Sequence, residues 1–85
     1  MTTYKLPRRF YDDHVYRDFW GGQVIALTKQ TVTVELDRET YDELLSDAKF
    51  YAQMGAGEFD RHYSGVVKSA VATVGALTKI GPPDA

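Results

Sequence analysis

The sequence predicts an α+β domain: an N-terminal helix, a β-hairpin, and then a two-helix antiparallel hairpin packed on it. Residues 31–52 (TVTVELDRETYDELLSDAKFYA) alternate like a strand and continue directly in helical periodicity. Glycines at 21–22 and at 55 and 57 separate this stretch from a helical pattern on either side. We expect one domain over residues 1–80 and a disordered tail over residues 81–85 (GPPDA), which cannot continue a helix.

The composition favours a small folded protein that associates with other chains. The 85 residues are 44% hydrophobic and 13% aromatic, contain no cysteine and carry a formal charge of −2. A chain of this size removes only about two-thirds of its unfolded surface from water. Because no disulfide can cross-link a chain with so small a core, we expect oligomerisation to contribute stability. The acidic balance disfavours nucleic acid as a partner, and the absence of a signal pattern or a long apolar run predicts a cytoplasmic protein without a membrane partner.

The N-terminal region is predicted to be an extended lead-in over residues 1–6 and a helix over residues 8–20, with Pro7 suited to its first turn. Tyr11, Val15 and Phe19 form an i, i+4, i+8 stripe that is typical of a buried helix face. Three other aromatic residues fall outside this stripe and are expected at a protein interface: Phe10, Tyr16 and Trp20.

Two strands are predicted over residues 23–28 and 31–36, joined as a β-hairpin. Lys29-Gln30 is a poor two-residue turn, so we expect the connection to use Thr28 or Thr31. The second strand alternates between two faces: Val32, Val34 and Leu36 on one, and Thr31, Thr33 and Glu35 on the other. Whether the hairpin pairs within one chain or between chains stays open.

The next helix is predicted to begin after Asp37, whose carboxylate suits an N-cap. Its buried face follows the helical period: Tyr41, Leu44, Leu45, Ala48, Tyr51 and Ala52. Phe50 lies nearly opposite that face, and Met54 is close to Phe50 in angle. We expect Phe50 and Met54 to form part of an interface.

The last helix is predicted over residues 58–79, although the β-branched residues of 66–74 leave a strand possible there. Small residues recur along it at helical spacing: Gly65, Ser69, Ala72 and Ala76. Such a stripe lets another helix approach closely, so we expect a protein contact along it.

Candidate catalytic chemistry is sparse. His14 and Asp18 stand at i, i+4 and could offer two ligands to a metal, with His62 as a third. We favour a salt-linked surface helix instead, because two ligands alone rarely fix a metal. His14 and His62 could also form an acid–base pair, but nothing in the sequence brings them together. The sequence therefore predicts no catalytic residue, metal or cofactor.

The strand followed by two helices resembles the ribbon-helix-helix family over about 45 residues from Thr31. The resemblance implies that Thr31, Thr33 and Glu35 face the DNA major groove from a ribbon formed by two chains. Glu35 would point an anion at the groove, and Glu58 and Asp60 would repel phosphate where the second helix begins. Because of these acidic residues, DNA binding is only the alternative to the leading function.

Three segments resemble small uncharacterised proteins of actinobacteria and their phages: residues 10–19, 43–52 and 65–77. The resemblance implies a phage-encoded accessory protein that binds a host or phage protein, and it supplies no site. The leading prediction is a non-enzymatic protein-interaction module that self-associates, most simply as a dimer.

Overall fold

The computed structural model describes residues 2–14, 22–53 and 60–83, with side chains described for all of these except 13, 14, 60–64 and 66. The elements in order are β1 (Thr2–Pro7), α1 (Arg8–His14), β2 (Gln23–Leu27), β3 (Thr31–Leu36), α2 (Arg38–Gln53) and α3 (Asp60–Ile80). The three strands form one antiparallel sheet, and α2 and α3 pack together. The predicted α+β class is confirmed.

The strand order β1-β3-β2 makes β3 the central strand of the sheet. Val34 of β3 lies opposite Tyr4 of β1 on one side and opposite Val24 of β2 on the other. Alternate residues of β3 are buried, as its sequence predicts: Val32, Val34 and Leu36. Since cross-strand partners point to the same face of a sheet, Tyr4 and Val24 share the face of Val34.

The N-terminal residues are extended, as predicted, and they also form strand β1 of the sheet, which the sequence did not predict. Tyr4 and Leu6 are buried while Thr3 and Lys5 are exposed, which is the alternation of a half-buried strand. The pairing with β3 satisfies the backbone groups of β1 that face β3, and the buried side chains of Tyr4 and Leu6 add apolar contact with the core.

The predicted hairpin of β2 and β3 is confirmed, and it pairs within one chain. Thr28 closes it. The N–H of Thr28 donates to the Thr31 carbonyl at 2.9 Å, and the N–H of Thr31 donates to Oγ1 of Thr28 at 2.9 Å. The threonines therefore form the connection, as expected from the poor turn propensity of Lys29-Gln30.

Asp37 caps α2 as predicted. Its Oδ1 accepts the N–H of Thr40 at 2.8 Å, and its carbonyl accepts the N–H of Tyr41 at 2.9 Å. Hydrogen bonds from the side chain and the backbone of Thr40 hold the pKa of the Asp37 carboxyl below its ordinary value. The helix then buries Tyr41, Leu44 and Ala48 from the predicted face, together with Thr40.

α3 is one helix over Asp60–Ile80, so the alternative of a strand at residues 66–74 is wrong. It lies against α2 and β1, and the Tyr41 hydroxyl donates to the Leu77 carbonyl at 3.1 Å. Thr73 is fully buried, and its hydroxyl donates to the Ser69 carbonyl at 2.8 Å. Packing thus overrides the modest helix propensity of the β-branched residues.

The chain after α3 is attached to the sheet. Gly81 has a φ of 87°, and its N–H donates to the Leu77 carbonyl at 2.9 Å, which ends the helix. The Tyr4 hydroxyl donates to the Gly81 carbonyl at 2.6 Å, and Pro83 is buried. Burial, and after it the charge of the neighbouring Tyr41, raises the pKa of the Tyr4 phenol. Residues 81–83 therefore differ from the disordered tail expected from residue 81.

α1 corrects the expectation for Phe10, which is buried in the core rather than presented at a surface. Tyr11 is also buried, as its stripe predicts, while Val15 and Phe19 lie outside the described residues. The Phe10 ring meets the Tyr51 ring edge-on, with centroids 5.9 Å apart. α1 contacts β1, β3 and α3, so it buries a wider sector than one stripe.

Candidate interaction surface

Strand β2 is exposed along its whole length, although it belongs to the same sheet as the buried β3. Val24 lies opposite Val34, and Leu27 lies opposite Val32. Their side chains therefore continue the core face of the sheet. Val24 is nevertheless 41% exposed and Leu27 48% exposed, whereas their partners on β3 are fully buried. The helices described here cover β1 and β3, and the apolar face extends beyond them onto β2.

Ile25 interrupts the regular pairing of β2. The register shifts between Val24 and Ala26, so Ile25 is the extra residue of a β-bulge. Its side chain is 55% exposed. The strand Gln23–Leu27 contains no charged residue and no proline. We call the exposed residues Val24, Ile25 and Leu27 the β2 ledge.

The backbone of β2 offers hydrogen-bonding groups on its outer side. The Thr31 carbonyl accepts a hydrogen bond from the Thr28 N–H, so the backbone N–H and C=O groups of Thr31 and of alternate residues after it point towards β2. The backbone groups of the residues between them, Val32 and Val34, point towards β1. Leu27 and Val24 lie opposite Val32 and Val34, in pairs that exchange no hydrogen bonds. Their own N–H and C=O groups therefore point away from β3. Within the described ranges, no strand pairs with this side of β2.

Phe50 lies on the outer face of α2, as predicted, and its side chain is 59% exposed. Its ring meets the Tyr51 ring edge-on at a centroid distance of 5.5 Å. Acidic and polar side chains of the preceding turns line a shallow depression: Asp42, Glu43, Ser46 and Asp47. Met54, the expected second half of the Phe50 patch, lies outside the described residues, as do Tyr16 and Trp20.

The predicted stripe of small residues on α3 is not one exposed face. Ser69 is buried, Ala72 is exposed, and Ala76 packs at the edge of the core. Gly65 lies beneath the Arg9 side chain, and a Cβ added at Gly65 would overlap the Arg9 Cζ. At Gly65, the space that the small residue leaves is therefore occupied by Arg9 of α1.

The DNA-reading alternative is not supported by the position of its residues. Thr31, Thr33 and Glu35 lie half-buried on the face of β3 away from the core. Both edges of β3 are occupied, by β1 and by β2 of the same chain. A ribbon formed by β3 strands of two chains is therefore excluded. The neighbouring outward residue of β1 is Lys5, so this face carries little positive charge.

The candidate metal ligands cannot be placed together. The side chains of His14 and His62, and the whole of Asp18, lie outside the described residues. Among the side chains that are described, no group of three or more could hold a metal ion. The metal site therefore stays the untested alternative to the favoured salt-linked surface helix.

Comparisons with known proteins yield no relative. No family model matches the chain, and neither a curated protein nor a solved structure matches it. In addition, no helix in the described part of the chain combines the length and apolarity needed to cross a membrane.

Proposed function

We propose that this chain is a non-enzymatic protein-interaction module that self-associates. The observation that carries the proposal is the β2 ledge, three large aliphatic side chains exposed together on an uncharged strand at the edge of the sheet. Fully burying such a side chain contributes about 1.5–3 kcal/mol, so a contact that covers the ledge has a substantial driving force.

Phe50 supports a second contact surface, on the outer face of α2. An exposed aromatic ring is a common anchor of protein interfaces, and acidic residues beside it can discriminate between partners. We assign this surface to a protein partner. That the partner is a host or phage protein follows only from the resemblance to small phage proteins.

The test is the mass of the protein in solution. Sedimentation equilibrium from micromolar to millimolar concentration should give a weight-average mass that rises above the 9.6 kDa of one chain. A mass that stays at one chain throughout that range would contradict self-association. Phe50→Glu tests whether Phe50 takes part in self-association, and Val71→Glu, at a residue of similar exposure on α3, is the control. If only Phe50→Glu lowers the weight-average mass, Phe50 belongs to the contact.

A further inference from the structure

The two edges of the sheet are built differently. β1 carries Lys5, and it ends in Pro7, which has no N–H to offer. Charges and prolines of this kind protect a sheet edge against pairing with another strand. β2 has neither, and its only irregularity is the bulge at Ile25. The unprotected edge is also the one that exposes the apolar ledge.

The bulge determines which strand can pair with this edge. The outward backbone groups belong to Val24 and Leu27, with two residues between them. A regular strand has one residue between successive outward positions, so it cannot meet both residues in register. A second β2, running antiparallel, has the same spacing, and it places Leu27 opposite Val24 and Val24 opposite Leu27.

We propose that β2 pairs antiparallel with β2 of a second copy of this chain, in the register that joins Val24 of each copy to Leu27 of the other. The contact is two-fold symmetric, so Val24 and Leu27 of each copy pack beside those of the other. Val24 and Leu27 then meet on one face, and the apolar face continues from sheet to sheet. No charged side chains are brought opposite each other, because Gln23–Leu27 is uncharged. This inference deepens the proposed function and rests on it.

The size of the contact predicts a weak dimer. A pair of five-residue strands buries less than the roughly 1,200 Å² at the lower limit of stable interfaces. We therefore expect a dissociation constant in the micromolar to millimolar range.

Ile25→Lys and Ile80→Lys form a matched pair of variants, because each replaces an isoleucine that is 55% exposed. In the dimer, Ile25→Lys places two like charges at one strand contact, and we expect it to raise the dissociation constant by at least about tenfold. Ile80→Lys, at the end of α3, should associate like the wild type. Sedimentation equilibrium gives the constants, and circular dichroism with urea unfolding shows whether each variant is folded.

Hydrogen exchange of the wild-type protein provides a measurement that needs no variant. The amides of Val24 and Leu27 should exchange more slowly as the concentration rises. The Lys5 amide, which points outward on the opposite edge, should not change.

If Ile25→Lys is folded and associates like Ile80→Lys, or if the Val24 and Leu27 amides are insensitive to concentration while the mass rises, the β2 pairing is wrong and self-association stands. A wild-type mass that never rises overturns both proposals.

Discussion

Val34→Ala and Val24→Ala test how far the helix layer extends over the sheet. The two valines lie opposite each other on the same face, but Val34 is fully buried and Val24 is 41% exposed. Each substitution removes two methyl groups, worth about 0.8 kcal/mol each when fully buried. Val34→Ala also leaves a cavity, so its total cost should be about 2–3 kcal/mol. Val24→Ala should cost about 1 kcal/mol, because only about three-fifths of the residue is covered and the site is open to solvent.

The assay is urea unfolding followed by far-ultraviolet circular dichroism, at a protein concentration well below the dissociation constant of the proposed dimer. The midpoint should fall markedly more for Val34→Ala, and the slope of free energy against urea should stay the same in both variants. Equal losses at this concentration would refute the reasoning, since they would require cover over β2 equal to that over β3.

Three further substitutions test local features. Gly75→Ala should stabilise the fold by about 1 kcal/mol, because a Cβ there meets no atom within 4 Å and alanine has the higher helix propensity; a lower Tm would contradict this. Ser69→Ala should also stabilise by about 1 kcal/mol, since the buried Ser69 Oγ has no hydrogen-bond partner in the described structure and such a group costs about 1–3 kcal/mol. A lower urea midpoint would show that this hydroxyl is satisfied. Asp37→Asn keeps the cap oxygen and removes its charge. The lowered pKa of Asp37 contributes stability that is present above the ordinary value of 3.8 and is lost as pH falls through the folded-state pKa. The Tm of the variant should therefore fall less than that of the wild type as the pH is lowered. Identical curves of Tm against pH for the two proteins would refute the role of the carboxylate.

The parts of the fold that were predictable from the sequence are those with local signals. Each of three features depends on residues that are close together in the sequence: the alternation of β3, the Asp37 cap and the apolar face of α2. β1 was missed because its partner lies about 30 residues away and its pattern rests on Tyr4 and Leu6 alone. A local period cannot reveal such a distant pairing.

The interaction surface was harder to predict than the fold. Phe10 fell outside the helical stripe, yet α2 supplies Tyr51 to cover it, and that contact depends on tertiary packing. Conversely, the sequence of β2 predicts a strand without showing whether its apolar side chains are covered, and only the arrangement of the helices shows them to be exposed. One sequence signal did distinguish the edges: QVIAL has no charge or proline, whereas TTYKLP has both.

Cysteine cross-linking between two different variants tests the β2 pairing most directly, because the natural chain contains no cysteine. In the proposed register, Val24 of one copy and Leu27 of the other form a hydrogen-bonded pair, with Cα atoms about 5.5 Å apart, which suits a disulfide. Two copies of the same residue lie about 10 Å apart, beyond disulfide reach. Random oxidation of an equimolar mixture of Val24→Cys and Leu27→Cys already gives the mixed disulfide dimer in twofold excess over each symmetric dimer, so the proposed pairing predicts an excess well above that. The random distribution of the three dimers, or no disulfide dimer at all, would contradict the pairing.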